Sequence, residues 1–397
     1  MGKPTLLYAS PFAPLKSGIS DYSAALVQGL REHFEITLGI DDYELEDRTL
    51  LDQMKVVRLD RDNLDWPKYD FKLYNIGNNP WYHGRIYAAC LEHPGVVILH
   101  DFVLYYLIIG HYMNRPEFYT KLFEIAGPLG LRFIKDMKKD GVDLLTCRSP
   151  HLLPLTRELL VSGNSVVCHS RYTVAKCKEL APANIRLGHI KHLWHSAPTS
   201  PEARTRLLAS WNIPDDAILA VSLGFVAPTK LNHLVCEAVR RHNRRSSRKV
   251  CYVMVGEGDY VRDSLDEFIR ITGFVASREF ADWAAASDIV INLRHPTMGE
   301  TSGATLHALG AGKPCVVTDE AWFSELEDDI VIKIRPVDGD GVVSGVEEVL
   351  RHFVEMPEAF RSMGARAKKI LERDYSVDAA SLAIAKFVID GKTVVSR

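Results

Sequence analysis

No stretch of this chain approaches the roughly 20 consecutive apolar residues that span a bilayer. The opening MGKPTLLYASPFAP also lacks the long apolar core of a secretory signal. A cytoplasmic place is therefore expected, with any membrane contact peripheral. Cysteine is sparse: seven residues, at 90, 147, 168, 177, 236, 251 and 315, an odd number with no C-x-x-C pair. That spacing offers neither a disulfide framework nor a zinc knuckle, and it fits a reducing compartment. Net charge is nearly absent at -3, so no global field exists to hold nucleic acid. The one dense basic run, RRHNRRSSRK at 240–249, reads as a solvated helix end or as a weak attractor of anionic lipid. Gly256-Glu257-Gly258 lacks a third glycine and Gly312-Lys313 runs into Pro314, so neither a dinucleotide fingerprint nor a P-loop is supported. Internal repeats and low-complexity stretches are missing too.

What is present is an ordinary globular composition, 47% hydrophobic and 25% charged over 397 residues. That length holds two or three domains at about 100 to 200 residues each. Short apolar runs at 5–9, 56–59, 71–76, 96–99 and 165–168 read as buried strands, with an amphipathic helix at 20–32 and a mainly helical, aromatic-rich stretch at 102–160. SAPTSPEA and NIPDD break the rhythm within 195–216. The pattern then restarts with strands at 217–222, 250–255, 269–272, 288–292, 315–318 and 330–334, followed by helices at 345–372 and a terminal helix capped by Ser376. The fold class this predicts is α/β, with two doubly wound parallel sheets.

The densest chemistry lies in DIVINLRHPTMGETSGATLHALGAGKPCVVTD, at 288–319. An apolar strand, a polar loop, a short helix and a second apolar strand make the tip of a βαβ unit, where a helix N-terminus can receive an anion. Gly299, Thr301, Ser302 and Gly303 suit a phosphate cradle, since glycines admit close approach and hydroxyls add donors. Glu300 would repel bare phosphate unless it faces a sugar hydroxyl, which points to a nucleotide-sugar; an ordinary capped helix start explains the same residues. Lys230 follows an apolar strand and can reach a diphosphate as a point charge or sit solvated on the surface. Arg294 offers a fork to phosphate oxygens or a salt bridge to Glu300. His100, with Asp101 beside it, closes a strand where ligands collect; it can bond a sugar hydroxyl or be a core histidine. Gly18 and Ser20 start the first helix, as a close approach to the donor or as a plain cap. The acidic triplets at 60–62 and 338–340 read as surface turns.

These segments resemble the family 4 glycosyltransferases. The matching pieces are SGISDYSAALVQGL at 17–30, LHD at 99–101, SRYT at 170–173, GFVAPTK at 224–230, VGEGD at 255–259, the segment 273–294 and GETSG at 299–303. The resemblance implies the GT-B fold, two Rossmann-like domains facing a cleft: 1–195 binding acceptor, 196–374 binding donor, and 375–397 a helix crossing back to the first domain. It implies a retaining transferase that uses a UDP- or GDP-linked sugar and a glycan or lipid-linked acceptor, in cell-surface glycan or glycoconjugate synthesis, with no metal and no other cofactor. On the donor side it places Gly18, Phe225, Lys230, Phe274, Val275, Arg294, Gly299, Glu300, Thr301, Ser302 and Gly303; on the acceptor side, Ser20, Asp21, His100 and Asp101. His100, Glu300 and Lys230 would carry the reaction. Two features depart from the family: its second glutamate is missing, with Ala308 or His307 at the place, and Phe225 stands where many members have arginine. An epimerase or phosphorylase of the same fold, or a non-catalytic partner subunit, are the rival readings.

Overall fold

The computed structural model describes residues 2–195 and 198–395, so Ser196 and Ala197 of the expected linker lie outside the described residues. The chain divides into two compact units. One takes in Met1–Leu193, Met298–Thr301 and Val377–Arg397; the other, Trp194–Thr297 and Ser302–Ser376. Among the described residues no helix is long and apolar enough to cross a membrane.

The first unit is built on a parallel sheet of seven strands: β1 (Thr5–Ala9), β2 (Glu35–Ile40), β3 (Lys55–Arg58), β4 (Phe71–Ile76), β5 (Val96–Leu99), β6 (Ser165–Cys168) and β7 (Leu187–His189). Their order is β3-β2-β1-β4-β5-β6-β7. Strands β2 and β7 are absent from the sequence reading. Side chains alternate between two apolar layers, as the pleat requires. Tyr74, Ile76, Val97 and Leu99 face one layer, while Leu6, Tyr8, Leu73 and Ile98 face the other. The terminal helix Val377–Val395 belongs to this unit and lies along the helix Gly18–Leu30, so closely that a Cβ on Gly29 would meet Ser381 Oγ at 2.5 Å. Arg186 holds it from beside β7, with its guanidinium 3.8 Å from the Phe387 ring centroid.

The second unit repeats the plan with six parallel strands: β8 (Ile218–Leu223), β9 (Val250–Val255), β10 (Ile269–Ile271), β11 (Ile289–Ile291), β12 (Cys315–Thr318) and β13 (Ile332–Ile334). The order β10-β9-β8-β11-β12-β13 again reverses direction once, at the neighbours β8 and β11. Every residue of β8 and β9 is buried, which is why these strands read as unbroken apolar runs. The basic run at 240–249 ends the helix Asn232–Arg245 and is answered by acids of its own unit: Arg240 meets Asp266 at 3.2 Å, Arg241 meets Glu237 at 2.9 Å and Arg245 meets Glu347 at 2.6 Å.

Candidate nucleotide-sugar site

In an open parallel sheet, ligands collect beyond the carboxyl ends of the strands where the strand order reverses. In the second unit that place lies between the loops leaving β8 and β11. The β8 loop carries Gly224, Phe225 and Lys230. Gly224 takes a φ of +87°, and a Cβ there would meet Lys230 Nζ at 2.8 Å, so only glycine lets the lysine fold back over the strand end. Lys230 is 7% exposed and donates to the Leu223 carbonyl, which rules out the solvated surface lysine.

The β11 loop brings Arg294 to the same spot. Its Nη1 donates to Thr229 Oγ1 at 3.0 Å, and the next residue, His295, donates its N–H to the Thr229 carbonyl at 2.8 Å. Thr318 at the end of β12 fixes the arginine backbone: its hydroxyl donates to the Arg294 carbonyl at 2.7 Å and accepts the Arg294 N–H at 3.0 Å. The neighbouring residues Thr229 and Lys230 are thereby coupled to Arg294. Sequence reasoning named both cations but not Thr229, whose only signal is its place in GFVAPTK.

The helix Gly303–Gly310 starts beside these loops. Its cap is Ser302, whose Oγ accepts the Thr305 N–H at 3.2 Å and the Asn292 Nδ2–H at 3.0 Å. Ser302 Oγ thus serves as an acceptor at the helix cap. A Cβ at Gly303 would meet nothing within 4 Å, so the helix start is open on that side. Phe225 and Phe274 are 54% and 52% exposed, unusual for phenylalanine, and Val275 is half-buried. At the family's second glutamate position, His307 lies in ring contact with Phe280 and His195, at centroid distances of 5.7 and 6.0 Å. Burial, and then the charge of His195, pushes its pKa down to about 4, so a neutral imidazole stands there at neutral pH.

Met298–Thr301 belongs to the first unit. Thr173 Oγ1 donates to the Gly299 carbonyl at 2.7 Å and the Val103 N–H donates to the Met298 carbonyl at 2.9 Å. Gly299 has a φ of +76°, and a Cβ would meet that of Phe102 at 2.4 Å. Its lack of a side chain lets the loop pack against Phe102. One Glu300 oxygen accepts the Met298 N–H at 2.7 Å, and Thr301 is half-buried.

Elsewhere in the first unit, Ser17 caps the helix Gly18–Leu30, and a Cβ at Gly18 would meet nothing within 4 Å. Ser20 is buried and Asp21 exposed. Asp101 accepts the Asn78 N–H at 2.9 Å, and Asn78 Oδ1 in turn accepts the Tyr106 N–H at 2.8 Å, so Asp101 organises the start of the helix Tyr105–Tyr112. His100 is buried at the end of β5 with Nε2 against Asn75 Oδ1 at 3.0 Å. Beside it stand His169 and His192, which sequence reasoning did not single out.

Residues 217–352 match the family model described as glycosyl transferases group 1. No curated protein matches the chain in sequence. Among solved structures, HepE of Anabaena in complex with UDP-glucose superimposes with a TM-score of 0.68 at 15% identity, covering 97% of this chain and 99% of that one. Sucrose-phosphate synthase of Thermosynechococcus elongatus gives 0.68 at 12%, covering 99% and 100%. WaaG, a glycosyltransferase involved in lipopolysaccharide biosynthesis, gives 0.62 at 12%, covering 96% and 99%. Fold and likeness define the class: the chain has the GT-B fold, with two Rossmann-like units. More particularly, residues 217–352 are similar to the glycosyl transferases group 1 family.

Proposed function

We propose that the chain is a retaining glycosyltransferase that moves a sugar from a nucleotide diphosphate sugar to a hydroxyl of a glycan or lipid-linked acceptor. The observation that carries this is the coupling of Arg294 to the Lys230 loop through Thr229, where the strand order of the second sheet reverses. Two positioned cations can neutralise a departing diphosphate in place of a metal. The open first turn at Gly303 adds N–H groups and the positive end of a helix dipole. Phe225, Phe274 and Val275 give apolar surface for the base, and HepE, which is complexed with UDP and with UDP-glucose, makes a uridine donor the first to test.

In this reading the acceptor oxygen attacks the anomeric carbon on the face from which diphosphate leaves. A leaving-group oxygen takes the acceptor proton as the glycosidic bond to phosphate breaks. The protein contributes position and charge rather than a nucleophile. Glu300 accepts hydrogen bonds from donor hydroxyls, Gly18 lets the backbone approach the donor, and Ser20 and Asp21 serve the acceptor side. Acceptors of this kind would bring the enzyme to the inner face of a membrane as a peripheral visitor.

The test is release of nucleoside diphosphate from a panel of UDP- and GDP-sugars, with and without a mixed glycan acceptor, together with the anomeric configuration of the product. Acceptor-dependent release with retained configuration is expected. An epimerised nucleotide-sugar without acceptor, or sugar transfer to phosphate, would mark an epimerase or phosphorylase of the same fold, and inertness toward every donor would mark a non-catalytic subunit.

A further inference from the structure

Three neighbouring strands of the first sheet, β5, β6 and β7, end in histidines: His100 directly after β5, His169 directly after β6, and His192 shortly after β7. Adjacent strands lie about 4.8 Å apart, so side chains leaving three successive strand ends converge although they are distant in sequence. One ring nitrogen from each of the three lies within 4.8 Å of the others. We propose that His100, His169 and His192 form a binding site for a divalent transition-metal ion of the zinc class.

The hydrogen bonds around the cluster favour this. His100 Nε2 faces Asn75 Oδ1 at 3.0 Å, His169 Nδ1 faces the Ile190 carbonyl at 2.9 Å, and His192 Nδ1 faces the Leu193 carbonyl at 2.5 Å. Carbonyl oxygens only accept, so these nitrogens carry the ring protons. In a neutral imidazole the other nitrogen is then a lone pair, Nδ1 of His100 and Nε2 of His169. An outer nitrogen donating to a carbonyl while the inner one faces its neighbours is the usual setting of a metal-bound histidine. His169 is 4% exposed, and its Nε2 is a buried acceptor without a hydrogen-bond partner. The Tyr22 ring packs on all three imidazoles at centroid distances of 4.8, 5.3 and 4.7 Å, and its hydroxyl is a second buried polar atom without a partner. A fully satisfied core cluster would leave neither orphan.

Three imidazoles and no carboxylate select zinc, cobalt, nickel or copper over magnesium and calcium, which take oxygen ligands. This role gives His100 an ion rather than the sugar hydroxyl expected from sequence. It does not draw on Lys230 or Arg294, the residues of the second unit on which the diphosphate reading rests.

The experiment uses the untagged full chain, dialysed against chelator and titrated with Co2+ alone, then with Zn2+ in competition. Stoichiometric, saturable binding is expected, with the visible absorption of cobalt in a low-coordinate nitrogen site and its displacement by zinc. His169→Ala and His192→Ala should each abolish the band and weaken zinc binding by more than about 100-fold, while Asn75→Leu, which removes an outer partner, weakens it by about 10- to 100-fold. His192 is only partly buried, so its variant keeps the test open if His169→Ala does not fold, with circular dichroism as the check. No saturable cobalt binding by the parent chain, or an unchanged band in a folded His192→Ala or His169→Ala variant, overturns the proposal.

Discussion

Gly224 shows how much of the nucleotide reading rests on single atoms. Its positive φ strains any other residue, and a methyl group there meets Lys230 Nζ, the mobile end of the side chain. Gly224→Ala should displace the lysine as well as strain the turn. We expect UDP affinity to fall at least about 10-fold, as when a charge-assisted contact is lost, with uridine affinity nearly unchanged; calorimetry on both ligands checks it. Glu300 makes a different case. Its carboxylate accepts a backbone N–H from Met298, and in the proposed front-face transfer a leaving-group oxygen takes the acceptor proton. Glu300→Gln should reduce donor use and blur donor choice while both limbs of the pH–rate profile persist. Loss of one limb, or loss of turnover at intact donor affinity, would make Glu300 a proton-transfer group and reopen the front-face mechanism.

At the scale of elements, the start of the helix Gly303–Gly310 depends on Ser302, which caps the helix and also satisfies the buried Asn292 amide. Ser302→Ala removes the cap, worth about 1 kcal/mol, and one partner of a buried donor. The thermal midpoint should drop by a few degrees, read by calorimetry, and the mutation should weaken UDP binding less than loss of Lys230 does. The same scale shows what the sequence discloses. Strands such as Val96–Leu99, Val250–Val255 and Cys315–Thr318 are legible to the residue, because both faces are covered and nearly every position is apolar, Thr318 excepted. Glu35–Ile40 escapes notice because Glu35, Thr37 and Gly39 interrupt its apolar residues, and Leu187–His189 is too short to show a period. Lys230 and Arg294 are legible from motifs that sit at strand ends. The assignment of Gly299 to packing and the meeting of His100, His169 and His192 are not, since both depend on which strands become neighbours.

At the scale of the molecule, several histidines are buried as neutral bases. Burial pushes His83 down to about 4, and burial with His195 does the same to His307. In the unfolded chain each titrates near its ordinary 6.5. Between those values the unfolded chain takes up protons that the folded chain refuses, so stability is complete above about 6.5 and falls as pH is lowered toward about 4. Each group contributes on the order of 1 to 3 kcal/mol to that loss. Thermal melts from pH 7.5 to 4 in the presence of chelator should show the decline, and His307→Gln should shallow it; a flat profile would mean these rings are not buried as described.

The central claim is that Lys230 and Arg294 hold a nucleotide diphosphate without a metal ion. It is tested most directly by calorimetric titration of UDP, GDP and uridine into the full chain in EDTA, with Lys230→Ala in parallel. The account predicts that UDP or GDP binds in EDTA, and that Lys230→Ala weakens the diphosphate by about 10- to 150-fold, or roughly 1.5 to 3 kcal/mol, with uridine binding nearly unchanged. Absence of binding by either diphosphate in EDTA, or equal losses for diphosphate and nucleoside in the variant, would contradict it.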